Sequence, residues 1–206
     1  MRRIIMNQKA DERFLPREFK IPFDPFMRHF ERYFQSVKLL NKTGKGETWL
    51  DCACGSGYGT NLLSNFSDSV IGYDIDVDAV NFAKENYKNN YCDFTHNIQE
   101  YEKHFDVVFS IETIEHMIRE HAVEFLTTLR KSLKDEGNLI ITTPIVPKTN
   151  FNPINEYHFI EYSDYDFRTL LSSVGFFVID TVFIKTTFTD GETKDQGYYK
   201  CEKINE

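Results

Sequence analysis

The 206-residue sequence is 41% hydrophobic and 27% charged, the balance of one ordinary globular domain, which excludes a disordered or fibrous chain. Acidic residues outnumber basic ones 32 to 24, for a net charge of −8. That argues against a protein that lives by neutralising phosphates, so nucleic acid is not the expected partner.

In chain order, the opening Met1-Arg2-Arg3-Ile4-Ile5-Met6-Asn7 turns polar too soon for a secretory leader. No later apolar run approaches the ~20 residues of a membrane span. Cys52, Cys54, Cys92 and Cys201 therefore read as reduced thiols, and the expected location is cytoplasmic. Residues 13–25 carry three prolines without a steady period and read as an ordered arm. A helix is predicted over 25–40, behind a capping Asp24, with Phe26, Phe30, Tyr33 and Val37 at helical spacing. This arm and helix, residues 1–45, are expected to cap a main unit formed by 46–206. Residues 47–52 read as a buried strand that ends in a glycine loop and opens a helix through Asn61, Leu62 and Leu63. A second strand covers 69–74, and a helix over 76–87 turns Val77, Val80, Phe82 and Ala83 inward. Further strands fit 92–97, 105–111 and 138–143. Between the last two lies a helix with Ala122, Leu126, Leu129 and Leu133 on one face, then a turn at Asp135-Glu136-Gly137. A helix over 165–173 stops at Gly175. Strands over 176–189 and 196–204 close the chain as a hairpin around Asp190-Gly191. Strands alternating with helices predict a doubly wound α/β architecture with a mostly parallel sheet. The closing hairpin adds an antiparallel strand.

Asp51-Cys52-Ala53-Cys54-Gly55-Ser56-Gly57-Tyr58-Gly59 lies where an open α/β sheet binds ligands, at the carboxyl end of its first strand. Gly55 and Gly57 let the backbone turn tightly and approach a ligand. Asp74 ends the next strand, 23 residues after Asp51, where a carboxylate can accept from two ribose hydroxyls. The dinucleotide fingerprint fails at Thr60, where a third small residue is due. On this loop and acid, and from about Pro25 through the closing hairpin, the chain resembles the class I S-adenosylmethionine-dependent methyltransferases. The resemblance implies a Rossmann-like, seven-stranded sheet and S-adenosylmethionine as cofactor. It assigns Asp51, Ala53, Gly55 and Gly57 to the methionine part, Asp74 to the ribose and Ile75 to the adenine face. Asn97, with the Ile98 amide, would meet the adenine amine, and Ser110 completes the cofactor set. Ala53 stands where the family usually has glycine, and Asn97 where it usually has Asp.

Glu112-Thr113-Ile114-Glu115-His116 follows the fourth strand, at the same rim. As one helical turn it would place Glu112 beside Glu115 and His116 at i+3 and i+4. Two carboxylates and an imidazole suit a divalent cation, and His158 in the loop after the fifth strand would complete a set of Glu112, Glu115, His116 and His158. Alternatively, the carboxylates merely flank a helix start and His116 serves alone as a base or fills space. With the Ala-Cys-Gly loop, Arg13-Phe14-Leu15-Pro16 and Arg32-Tyr33, the motif resembles a subset of these methyltransferases associated with surface polysaccharides or their sugar nucleotides. It is also similar to those that methylate the terminal 2′-hydroxyl of small RNAs and to those of ubiquinone biosynthesis, which implies Mg²⁺ gripping two neighbouring acceptor oxygens. The expected reaction is methyl transfer to a hydroxyl of a small acceptor, a carbohydrate or sugar nucleotide, with His116 and His158 catalytic. An RNA 3′-terminal 2′-O-methyltransferase and a non-catalytic cofactor-binding protein stay open as alternatives. His29, His96, His104 and His121 read as surface or packing residues, and nothing in the sequence sets the oligomeric state.

Overall fold

The structure is a computed structural model that describes residues 23–187 and 193–204. Along the chain run α1 (Phe23–Leu40), β1 (Gly44–Cys52), α2 (Tyr58–Leu63), β2 (Ser67–Tyr73), α3 (Val77–Tyr87) and β3 (Cys92–Thr95). Then come β4 (Phe105–Ile111), α4 (Arg119–Ser132), β5 (Leu133–Ile145), α5 (Asp164–Ser173), β6 (Phe176–Thr187) and β7 (Thr193–Lys203). Short 3₁₀ turns occupy Ile98–Glu100 and Ile114–His116. The strands form one seven-stranded sheet in the order β3-β2-β1-β4-β5-β7-β6. β7 alone runs antiparallel, paired with β5 on one side and β6 on the other. This is the expected doubly wound, Rossmann-like α/β fold with an antiparallel C-terminal hairpin strand.

The sheet buries both faces, which is why its central strands are almost continuously apolar. On one face Leu50, Val108, Leu139 and Ile141 pack with Leu126 and Leu129 of α4 and Phe167, Leu170 and Leu171 of α5. On the other, Trp49, Val70, Val107, Phe109 and Ile140 pack with Tyr33 and Leu40 of α1 and Leu63 of α2. Each such side chain contributes ~1.5–3 kcal/mol of burial. A smaller cluster of Cys54, Val80, Ala83, Cys92 and Phe94 seats α3 beside the glycine loop.

Several local expectations change. Helix α1 begins at Phe23, so Asp24 lies inside it instead of capping it, and Pro25 falls at its third residue, still within the first turn that proline tolerates. Val77 opens α3 and is 48% exposed; the buried residues of that helix are Ala79, Val80 and Ala83. The Asp135-Glu136-Gly137 turn sits inside β5. Phe105 pairs with Leu133 and Val107 with Asn138, so β5 absorbs the extra residues as a bulge. The helix α5 starts at Asp164, with the Ser163 hydroxyl accepting from the Asp166 amide at 3.2 Å. The arm before Phe23 and the Asp190-Gly191 turn lie outside the described residues. No described helix is long and apolar enough to cross a membrane.

Candidate active site

β1 to β5 run parallel, so their carboxyl ends share one rim, and the candidate residues lie on those ends, on the loops that follow them and on α1. At the end of β1, Asp51 is 1% exposed. Thr60 Oγ1 donates to its Oδ2 at 2.7 Å, and the Tyr33 hydroxyl lies 3.4 Å from both carboxylate oxygens. Burial pushes the Asp51 carboxyl up to about 7, with Asp74 adding to the rise and the Thr60 and Tyr33 hydrogen bonds opposing it. The loop that follows needs left-handed backbone at Ala53 (φ 63°), Gly55 (φ 52°) and Gly57 (φ 86°). At Ala53 that conformation is strained. A side chain at Gly57 would strike Ala83 and Phe94, whereas one at Gly55 would meet nothing within 4 Å. Gly55 thus turns the chain beside open space, as a ligand cradle requires. Its amide donates to Asp74 Oδ2 at 2.8 Å, and the Asp76 amide donates to Oδ1 at 2.9 Å, so loop and strand-end acid form one unit. Ile75 stands 43% exposed beside it. Asn97 caps the Ile98–Glu100 turn, its Oδ1 accepting from the Gln99 amide at 3.3 Å; Ile98 itself is buried. Ser110 is fully buried on β4, and its Oγ has no hydrogen-bond partner among the described residues.

After β4 the structure separates what the motif grouped. Glu112 takes a left-handed conformation (φ 52°), and the 3₁₀ turn begins only at Ile114. Its carboxylate accepts from Thr142 Oγ1 at 2.8 Å and from Gln196 Nε2, and pairs with Arg32 of α1 at 3.3 Å. The three remaining residues converge: Glu115, His116 and His158 bring one ligand-capable atom each within 4.8 Å of one another. Glu115 is 1% exposed. Thr143 Oγ1 donates to it at 3.2 Å, and desolvation, followed by the Glu112 charge, holds its carboxyl above the usual range. His116 Nδ1 faces the Tyr157 carbonyl at 2.9 Å, which fixes Nδ1 as the donor and leaves the lone pair on Nε2. His158 Nδ1 meets Glu161 Oε1 at 2.8 Å, and the two imidazoles stack edge to face at 5.1 Å. The Glu115 carbonyl accepts from the Phe159 and Ile160 amides at 2.7 and 3.2 Å, tying the loop that carries His158 to the turn that carries His116.

The family described as a methyltransferase domain matches residues 26–179 of this sequence. The chain belongs to that family. Among curated proteins, this methyltransferase-domain chain is 29% identical over 162 residues to a Mycolicibacterium smegmatis protein named a probable S-adenosylmethionine-dependent methyltransferase. That match covers 74% of this chain and 61% of the relative. A ubiquinone biosynthesis O-methyltransferase of Rickettsia bellii is 36% identical over 99 residues, covering 46% of this chain and 40% of the relative. The chain thus spans less than two thirds of the length of either relative. Among solved structures, the Burkholderia thailandensis 1,6-didemethyltoxoflavin-N1-methyltransferase, with S-adenosylhomocysteine bound, superposes with a TM-score of 0.67 at 14% identity. It covers 82% of this chain and 76% of that one. The cyclase SpnF superposes at 0.66 and 12% identity, over 83% and 81% of the two chains. Likeness at that level shows the fold and leaves the chemistry to the site.

Within this methyltransferase domain, sequence reasoning missed partners more often than principals. Thr60 counted as a defect in a dinucleotide fingerprint; it is the donor that holds Asp51. Gly59 lets Tyr33 of α1 reach the site, because a Cβ there would fall 2.0 Å from the Tyr33 ring. Thr143 and Glu161, which hold Glu115 and His158, were not singled out either. The signal available was the same in each case: a buried carboxylate or oriented imidazole needs a partner. His29 faces the Tyr58 hydroxyl at 3.1 Å, and burial with the Arg32 and Arg28 charges lowers its pKa to about 3, so it stays neutral. His121 is half-buried, while His96 and His104 are exposed. All four cysteines are buried thiols, and desolvation pushes each upward, the signature of inert packing residues.

Proposed function

We propose that this protein transfers a methyl group from S-adenosylmethionine to a hydroxyl oxygen of a small acceptor, a sugar or a similar polyol. The observation that carries the reading is one of placement. The glycine loop with Asp51 and Asp74, and the imidazole pair with Glu115, open on the same rim of one sheet. The residues suit the cofactor. Asp51 offers a carboxylate for its ammonium group, and Gly55 offers open space against the backbone. Asp74 stands at the end of β2 with its carboxylate on the Gly55 and Asp76 amides, where the ribose would lie, and the orphaned Ser110 hydroxyl is a buried polar atom of the kind a bound group satisfies. The names of the relatives support the donor, and the ubiquinone-type relatives support an oxygen acceptor.

Bound there, the sulfonium supplies a methyl group to an oxygen arriving in line and leaves as S-adenosylhomocysteine. The protein's work is positioning, which can supply ~7–11 kcal/mol, and removal of the acceptor proton. His116 is arranged for the latter. Its Nδ1 proton is committed to the Tyr157 carbonyl, so Nε2 carries the lone pair that accepts a proton as the C–O bond forms.

A second reading of the same cluster is that Glu115, His116 and His158 hold a divalent cation. It is favoured by the buried carboxylate, which costs several kcal/mol unless a cation or a proton neutralises it, and by Nδ1 atoms oriented by a carbonyl and a carboxylate, as metal-bound histidines require. With Glu112 turned to Arg32, the donor set is two imidazoles and one carboxylate. It suits a borderline ion such as Zn²⁺ or Mn²⁺ better than the Mg²⁺ implied by resemblance. Such an ion would supply a lowered pKa for a coordinated hydroxyl. Calorimetry with S-adenosylmethionine tests the donor, and S-adenosylhomocysteine release over a panel of glycosides and catechols tests the acceptor. Failure to bind S-adenosylmethionine would refute the function. Loss of turnover on exhaustive chelation, with cofactor binding intact, would select the metal reading over the free base.

A further inference from the structure

The end of β5, the loop after it and the facing residues of β6 and β7 line a cleft of about 340 Å³, room for one small ring. Pro144, Pro147 and Ile154 supply apolar lining, and Glu161, Lys185 and Asp195 supply charge. Glu161 is 7% exposed, and the same carboxylate holds His158 Nδ1 at 2.8 Å. One wall of the cleft is therefore the group that orients the imidazole. Lys185 and Asp195 lie directly opposite each other on β6 and β7, so the single ammonium has a carboxylate for a neighbour. Among the described lining residues, two carboxylates stand against one cation.

That charge count decides what fits. A phosphate or nucleotide would enter a wall of net negative charge without the Arg or Lys cluster that phosphate recognition needs. A neutral ring with C–H groups on its faces and hydroxyls on its edge matches apolar lining set against carboxylate acceptors. A hydroxyl that donates to Glu161 lies one hydrogen-bond step from His158. We propose that this cleft binds the sugar ring of the acceptor in unphosphorylated form, with Glu161 and Asp195 accepting from its hydroxyls. The proposal rests on the O-methyl reading above and narrows it, since sugar nucleotides and sugar phosphates are disfavoured within the cleft.

The test is NMR titration of the 206-residue chain with three probes: methyl α-D-glucopyranoside, glucose 6-phosphate and putrescine. The glycoside should shift the Ile145 and Ile154 methyl signals with millimolar affinity, and glucose 6-phosphate should bind roughly tenfold more weakly. Asp195→Ala, at an exposed position, should weaken the glycoside roughly five- to tenfold and leave S-adenosylmethionine affinity unchanged by calorimetry. Equal or tighter binding of glucose 6-phosphate or putrescine overturns the proposal, as does a glycoside affinity indifferent to Asp195→Ala. Glycoside binding in a protein that fails to bind S-adenosylmethionine sustains the cleft and overturns the methyl-transfer reading, so the two failures are distinguishable.

Discussion

Gly59→Ala should destabilise the protein by an amount out of proportion to one methyl group. Gly59 is the second residue of α2, where alanine would ordinarily gain ~0.8–1 kcal/mol over glycine. Here a Cβ would fall 2.0 Å from Tyr33 Cζ and 2.2 Å from its hydroxyl oxygen, so either α1 or α2 must move. Tyr33 is 5% exposed and packs in the cluster of Trp49, Leu63 and Val107; its ring cannot swing out without opening that core. Overpacking of this kind costs about 1–3 kcal/mol, and moving the Tyr33 hydroxyl away from Asp51 removes about 1 kcal/mol more. The clash outweighs the propensity gain, leaving a net loss of roughly 1–3 kcal/mol, or a fall in Tm of about 2–12 °C for a chain this size. Urea denaturation of a double-mutant cycle isolates the cause. In a Tyr33→Leu background the ring atoms nearest the new Cβ are gone, and Gly59→Ala should then be neutral or stabilising. If Gly59→Ala is equally harmless beside the native Tyr33, α1 does not seat on the loop as described.

The raised carboxyl of Asp51, about 7 against an ordinary 3.8, means the fold retains a proton that the unfolded chain releases. Its stabilising contribution is complete below about pH 4 and is lost as pH rises through 7. Relative to Asp51→Asn, the wild type should lose about 1.4 kcal/mol of stability per pH unit between roughly pH 5 and 7; parallel stability curves would reject this. Asp74→Ala should remain folded and weaken S-adenosylmethionine by roughly 2–4 kcal/mol, and unchanged affinity in calorimetry would remove Asp74 from the ribose. Arg32→Met leaves Glu112 with its Thr142 and Gln196 donors but without a counter-charge, and should destabilise by about 1–3 kcal/mol. A stability within error of wild type would show that the Arg32–Glu112 pair does not hold α1 to the rim.

Much of the fold was legible because a sheet covered on both faces imposes a coarse rule that sequence obeys. Phe105-Asp106-Val107-Val108-Phe109-Ser110-Ile111 is nearly all apolar, since both of its faces are buried. Asp51 and Asp74 stand where the first two strands must stop. The Asp135-Glu136-Gly137 turn was legible as a turn but not as a bulge, because only the register of β4 shows that pairing resumes on both sides. Tyr33 had helical spacing on α1, yet nothing local says that its ring needs Gly59, 26 residues further on, to have no side chain.

The Glu112 case shows why the site was less legible than the fold. Spacing at i+3 and i+4 puts residues on one face only while the backbone stays right-handed, and one left-handed residue at position 112 rotates the carboxylate away from Glu115 and His116. What makes that conformation tolerable is a set of partners outside the motif. Thr142 accepts from the Glu112 amide and donates to its carboxylate, Gln196 donates from β7, and Arg32 arrives from α1. These residues stand 30, 84 and 80 positions away. Strain of about 1–3 kcal/mol at a non-glycine residue is held wherever the surroundings over-determine it, and here the surroundings come from three separate elements. A motif of five residues specifies chemistry that the chain could perform. Which of its carboxylates joins the two imidazoles is decided by the strands and helix folded around it.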